Sequence, residues 1–333
     1  MGLRLLNSGV SGMQANQTAL DVVSNNIAND GTTAFKSGRT RFQDMLSQTT
    51  TDAGMPTVAL GGTNPSQIGL GVKVAGVDTI MTQGNLQTTN RTLDVAIDGD
   101  GYFLVSKGPT VFGNNGVTVN STTNHNIAAN ANSQISYTRD GAFALDKSGN
   151  LLTSDGYRIM GYSVGGSITN DAQGTINFVD ASGTVTSDDT NLKTLRIPST
   201  VNDGGTEVRV TSYSIGKDGL IVGTLEDGRV TAIGQIAMAS FQNPAGLVKE
   251  GGNLYNISAN SGDAVVRTGA GHAAASDNSD GYGAMTSGML EMSNIDLAQQ
   301  FTDMIVASRA FQANSKAVTT GDDILNTIVN LKR

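Results

Sequence analysis

The residues able to carry chemistry are few and poorly placed for it. The chain has two histidines, His125 and His272, and no cysteine. Both histidines stand in Asn-, Ala- or Ser-rich stretches without metal-ligand spacing or an apolar surround, so they read as inert surface residues. Without cysteine there is no thiolate nucleophile, no thiolate metal site and no disulfide, and no Gly-x-Ser-x-Gly elbow offers a serine nucleophile. Asp94, Asp98 and Asp100 have the start of a calcium loop. Tyr102 then stands where a further oxygen ligand belongs and the closing glutamate is missing, so the stretch reads as a turn. Gly69, Gly71 and Gly76 do not have dinucleotide-binding spacing. Gly216 precedes Lys217, but Thr211 occupies the upstream glycine position of a phosphate loop. Met289, Met292 and Met304 are packing residues. No catalytic, metal or cofactor site can be drawn, and none is expected.

Composition points the same way. Among 333 residues there are 42 glycines, 5 prolines and only 5% aromatics, the usage of a turn-rich β protein. A net charge of -8 and no basic stripe argue against nucleic acid as a partner. No run of eighteen apolar residues is present, so no membrane insertion is expected. Polar Asn7, Ser8, Ser11, Gln14 and Asn16 interrupt the start of the chain, which does not read as a cleavable signal peptide.

The elements that would position a site are the two chain ends. Leu297, Met304, Phe311, Val318 and Leu325 recur every seven residues within 293–331, beside a row of Phe301, Ser308, Ser315, Asp322 and Val329 that is apolar only at its ends. A helix of that length runs about 55 Å at about 1.5 Å per residue, longer than a small globule is wide. At the other end Leu6, Met13, Leu20 and Ile27 repeat at the same spacing, beside Leu3, Val10, Gln17 and Ser24. The two ends therefore predict paired helices in a coiled coil, and the nine residues of the two fully apolar rows, Leu6, Met13, Leu20 and Ile27 with Leu297, Met304, Phe311, Val318 and Leu325, are the expected assembly interface. Asn29, Asp30 and Gly31 end the first helix.

Between the helices the period changes to two. Residues 31–70, with a short amphipathic piece around Phe42, Met45 and Leu46, read as an extended linking segment. Strands are expected at 72–77, 94–97, 102–107, 135–138 and 142–145, with Asp98-Gly99-Asp100-Gly101 the clearest hairpin turn. A Thr/Asn-rich excursion covers 109–132. A second β block, 164–229, closes with turns at Asp218-Gly219 and Asp227-Gly228, and 230–241 returns to the first block. The expected class is α+β and multidomain. Terminal helices (1–30 and 290–333) enclose a first mainly-β domain (71–163 and 230–289), which in turn encloses a second (164–229).

Four stretches carry a resemblance. IANDGTTAFKSGRTRFQDMLSQT (27–49), TTNRTLDVAIDGDGYF (88–103), SYTRDGAFALDKSGNLLTSDGYRIMGY (136–162) and the end from 287 to 333 resemble the bacterial flagellar rod and hook family. Ala34 departs from it, standing where the family has glycine, and 109–132 is longer than the family pattern. The resemblance implies a non-enzymatic subunit, exported through the flagellar type III apparatus and polymerising with copies of itself. Its neighbours would be rod and hook–filament junction proteins, with a hook cap during assembly, in the basal body and hook outside the cell. Because the family's rod members resemble this plan without a second β domain, 164–229 points to the hook class, a curved flexible tube acting as a universal joint. The distal rod is the alternative. QIGLGVKV (67–74) and the ending 329–333 also look hook-like. A reading of another kind, a secreted β-rich carbohydrate-binding or adhesive protein, requires a concave surface with exposed aromatics or paired carboxylates.

Overall fold

A computed structural model of the chain describes residues 2–56, 61–107, 117–119, 126–127, 135–165, 176–183, 185–267 and 282–331. His125 and His272 lie outside these residues, as does most of 109–132. The chain forms two compact units. The first contains Met1–Gly31, Lys36–Ile80 and Ile295–Arg333; the second contains Thr32–Phe35 and Met81–Asn294.

In the first unit, helix α1 spans Gly2–Ala28 and helix α2 spans Leu297–Leu331. Helix α2 starts four residues later than the heptad pattern suggests because Asp296 caps it: its Oδ1 accepts the N–H groups of Ala298 (2.9 Å) and Gln299 (3.2 Å). Helix α1 ends with the Asn29 N–H on the Asn26 carbonyl (3.0 Å) and the Asn29 side-chain amide on the Asn25 carbonyl (2.8 Å). Neither helix is long and apolar enough to cross a membrane.

The stretch expected to be an extended linking segment forms paired strands. Gly38–Asp44 pairs antiparallel with Val72–Thr79, and Ser47–Thr51 pairs with Ser66–Gly69. Residues 71–80 therefore join the helical unit and not the β unit. Burial alternates with a strand period over the first residues of this stretch, Gly38 and Thr40 half-buried and Arg39 and Arg41 exposed, although Phe42, Met45 and Leu46 taken alone suggest a helix. Helix α1 lies against both strands of the first ribbon.

The second unit is built on an antiparallel sheet. Its main path runs Thr200–Asp203, Thr206–Ile215, Leu220–Leu225, Val230–Ile236, Arg158–Val164, Tyr102–Ser106, Ile135–Thr138, Leu254–Asn256 and Val248–Gly251. Side chains alternate along the central strand, so Phe103 and Val105 enter one buried cluster while Tyr102 and Leu104 enter another. The scarce aromatics are concentrated here, edge to face: Phe103 on Phe143 (5.1 Å) and Tyr137 on Phe241 (4.9 Å).

Two features differ from the sequence pattern. Asp98–Gly101 does not close a hairpin: Val95–Asp98 pairs with Ala284–Ser287, while Tyr102–Ser106 pairs with Ile135–Thr138. The chain turns between them at Gly99 and Gly101 (φ 117° and 139°), and their carbonyls are drawn inward to the Arg139 guanidinium at 2.7 and 2.9 Å. The block 164–229 belongs to the same compact unit as its surroundings. Among the described residues, its strand Leu220–Leu225 pairs with Val230–Ile236 across a tight turn, and Ser187–Thr194 pairs with Arg158–Val164.

Candidate assembly interface

Helices α1 and α2 pack antiparallel, and small residues let them approach closely. A Cβ added at Gly9 would lie 2.6 Å from Val318 Cγ2, one at Gly12 would lie 2.6 Å from Asn314 Nδ2, and one at Gly321 would lie 3.2 Å from Leu6 Cδ2. Near the other end of the pair Asn26, buried, joins three elements. Its Nδ2 donates to the Gly38 carbonyl (2.8 Å) and to Gln300 Oε1 (3.0 Å), and its Oδ1 accepts the Gly38 N–H (2.9 Å). A polar group placed this way fixes register, because sliding the helices would leave several hydrogen-bonding groups unpaired. Farther along α1, Ser11 Oγ accepts the Val72 N–H at 3.4 Å and approaches Gly71.

The predicted apolar rows are only half of this seam. Leu6, Met13, Leu20 and Ile27 on α1, and Met304, Phe311, Val318 and Leu325 on α2, are partly buried, and Leu297 is exposed. Leu6 packs on Gly321 and Val318 packs on Gly9. The companion rows lie elsewhere than the pattern put them. Val10, Gln17 and Ser24, like Phe301, Asp322 and Val329, are exposed. The close-packed positions are instead Gly9, Gly12, Ala15, Ala19 and Asn26 on α1, and Ala307 and Gly321 on α2. On α2 the seven-residue row Gln300, Ala307, Asn314 and Gly321 interleaves with Met304, Phe311, Val318 and Leu325 at alternating steps of four and three. A search for apolar residues passes over such rows. The available signal was the run of small residues at the same spacing.

The helical unit leaves much apolar surface uncovered. Phe301, Ile305, Val306, Ile328, Val329 and Leu331 on α2 are all at least half exposed. On the ribbons Leu46 and Met55 stand 83% and 88% exposed, and Phe42 and Val77 about half. Ile324, Ile328 and Leu331 follow a four-then-three spacing that forms one stripe. A cleft of about 410 Å³ opens beside α1 and α2, lined by Ala19, Val22, Val23, Phe42, Ile80 and Val306 among others. Single exposed apolar residues are ordinary; contiguous stripes mark surfaces that other chains cover.

Elsewhere, Asp94 is buried within hydrogen-bonding distance of Arg91 (3.4 Å), Asp98 accepts from Gln83 (3.3 Å), and among the described residues no cluster of three or more metal-ligating side chains occurs. Burial raises Asp140 above the usual carboxylate range, against the Ala142 N–H and the Thr33 hydroxyl that bind its charged form.

The chain thus combines long terminal helices bearing uncovered apolar stripes with a second, β-built unit. The chain belongs to the flagellar rod and hook protein family. Three family models match it: flagella basal body rod protein over 6–36, flagellar hook protein FlgE/F/G D1 domain over 126–223, and flagellar basal body rod FlgEFG protein C-terminal over 286–331. The chain is similar to the flagellar basal-body rod protein FlgG of Bacillus subtilis, 40% identical over 331 residues that cover 99% of this chain and all of that one. It is also similar to the flagellar hook protein FlgE of Borreliella burgdorferi, 31% identical over 453 aligned residues, again 99% of this chain and all of that one. The FlgG of the same organism is 31% identical over 337 residues, covering 99% of each chain.

Proposed function

We propose that this chain is a non-enzymatic structural subunit of the bacterial flagellar axis, which polymerises with copies of itself through α1, α2 and the ribbons beside them. The observation that carries this reading is the unfilled apolar surface of the helical unit, above all the α2 stripe at Ile324, Ile328 and Leu331. A fully buried aliphatic side chain contributes about 1.5–3 kcal/mol, so a few such residues covered by neighbours outweigh a weak helix pair. Helices α1 and α2 are held by a seam of glycines, alanines and asparagines. Ordering costs about 1–2 kcal/mol per residue, so the pair gains its full stability only in the polymer, where Leu6, Met13, Leu20, Ile27, Leu297, Met304, Phe311, Val318 and Leu325 complete a coiled coil.

Within the axis we place the subunit in the basal-body rod. Supporting this, the FlgG relative aligns end to end over 331 positions, whereas the FlgE relative needs 453. The D1 model, common to FlgE, FlgF and FlgG, also runs to residue 223 through most of the block that sequence alone suggested was a hook addition. The hook remains the second reading, supported by the similarity to FlgE. Under either, the neighbours are other rod, hook or junction subunits, reached after type III export to the outside of the cell. Expressing the chain in one strain lacking its rod protein and another lacking its hook protein tests the choice. Motility restored only in the hook-deficient strain would reverse it, and purified protein forming curved rather than straight tubes would count the same way.

A further inference from the structure

The second unit contains a buried ion pair. Arg139 Nε donates to Glu291 Oε2 at 2.9 Å, with side chains 4% and 0% exposed. Replacing such a pair with apolar residues is often neutral for stability, because desolvation offsets the attraction. Its distinctive property is therefore what else it binds. Glu291 Oε1 accepts the Gly84 N–H at 3.0 Å, and the Glu291 carbonyl accepts the Ala34 N–H at 2.8 Å. Beside it the Met292 N–H bonds the Asn85 carbonyl (2.9 Å) and the Asn294 N–H bonds the Phe35 carbonyl (3.3 Å). A Cβ at Gly84 would fall 2.0 Å from the Met292 oxygen, so the two backbones touch. Arg139 in turn holds the carbonyls of Ile97 (3.4 Å), Gly99 (2.7 Å) and Gly101 (2.9 Å) and stands 5.7 Å from the centre of the Tyr102 ring.

The stretches meeting at Glu291 are the three by which the chain enters and leaves this unit: 32–35, 81–86 and 289–294. We propose that Arg139 and Glu291 form a latch that fixes these three passages in one geometry and releases them together when either charge is lost. Arg139 anchors one carboxylate oxygen to the rigid turn at 97–101, which aims the other at Gly84. With Arg139 gone, the carboxylate is buried without its cation and turns toward water, and the Gly84 bond goes with it. The latch is a property of the single subunit and holds whether or not copies assemble.

Hydrogen exchange on the full chain, read by mass spectrometry, tests this. Glu291→Gln and Arg139→Met should each raise exchange in all three passages by about a hundredfold while leaving the Tyr102–Ser106 strand near its original protection. The double variant Arg139→Met/Glu291→Leu should recover the melting temperature of the parent yet keep fast passages. If the single variants do not fold, Arg139→Lys carries the test: it keeps the charge but loses the fork that ties Glu291 to Gly99 and Gly101, so exchange in all three passages should rise together, by less than in Arg139→Met, and a rise confined to one passage would overturn the latch. Passages as protected as in the parent, or protection regained in the double variant, would overturn the latch.

Discussion

Replacing Asn26 with alanine should weaken the helical unit alone, because all the hydrogen-bond partners of its side chain lie within that unit. The side chain makes three hydrogen bonds, two to Gly38 and one to Gln300. At about 1 kcal/mol net for each, with Gly38 and Gln300 only partly reached by water, the loss is about 3 kcal/mol. Alanine returns roughly 0.6 kcal/mol of helix propensity, so we expect the helical unit to lose about 2–2.5 kcal/mol. The chain supplies independent reporters for each unit. Helices α1 and α2 hold 27 and 35 residues against a single three-residue 3-10 turn elsewhere among the described residues, so ellipticity at 222 nm follows the first unit. All 7 tyrosines fall between residues 102 and 282 and there is no tryptophan, so intrinsic fluorescence follows the second. Urea titration of Asn26→Ala should shift the helical transition and leave the tyrosine transition in place. In a double-mutant cycle with Gln300→Ala the coupling should be about 1 kcal/mol, the value of the one shared bond. A helical shift below about 0.5 kcal/mol, or an equal shift in both signals, would show that Asn26 does not brace the seam.

Gly9→Val should destabilise the helical unit by about 1–3 kcal/mol, since its Cβ would meet Val318 at 2.6 Å, whereas Gly321→Ala, at 3.2 Å from Leu6, should be neutral or gain up to about 1 kcal/mol in the same melt. Ala34 holds a left-handed backbone (φ 55°), which glycine adopts without a Cβ penalty; Ala34→Gly relieves about 1–2 kcal/mol of strain against about 0.5–1 kcal/mol of added chain entropy, so tyrosine-monitored stability should rise by about 0.5–1 kcal/mol. For Asp140 the folded pKa is raised, chiefly by burial, so its charged form opposes folding above that pKa and the penalty fades as pH falls through it. Asp140→Asn should therefore stabilise the β unit at pH 7, with the advantage over the parent shrinking toward acid; an advantage that grows on acidification would show the sign is wrong. Ile324→Ser with Ile328→Ser, both exposed, should change monomer stability by no more than about 0.5 kcal/mol per site and yet abolish polymer formation in a sedimentation assay.

How far the sequence reveals this molecule depends on which residues carry the signal. The helices were legible because Leu6, Met13 and Leu20, like Met304, Phe311 and Val318, repeat at seven. The partner rows were not, because Gly9, Gly12, Ala307 and Gly321 are small and are buried by closeness, a property of the pair and not of either helix. The turns at Asp218-Gly219 and Asp227-Gly228 close hairpins as their residues demand. The equally strong Asp98–Gly101 signal does not, because Arg139, distant in sequence, captures its carbonyls and Val95–Asp98 finds a strand almost two hundred residues away. The ribbon at 38–44 was hidden because Phe42 is its only apolar side chain, too few to set a strand period, while Phe42, Met45 and Leu46 together mimic a helix face. The pair formed by Arg139 and Glu291, 152 positions apart, leaves no local trace at all.

The central claim is that the helical unit is completed by copies of the same chain. Circular dichroism at 222 nm on purified subunit, compared below and above the concentration at which electron microscopy first shows tubes, tests it directly. We predict that tubes form, that helical signal rises with them, and that both are lost in Ile324→Ser/Ile328→Ser while the tyrosine signal stays native. A subunit whose helical signal is already complete in dilute solution and unchanged at any concentration, with no tubes, would contradict it.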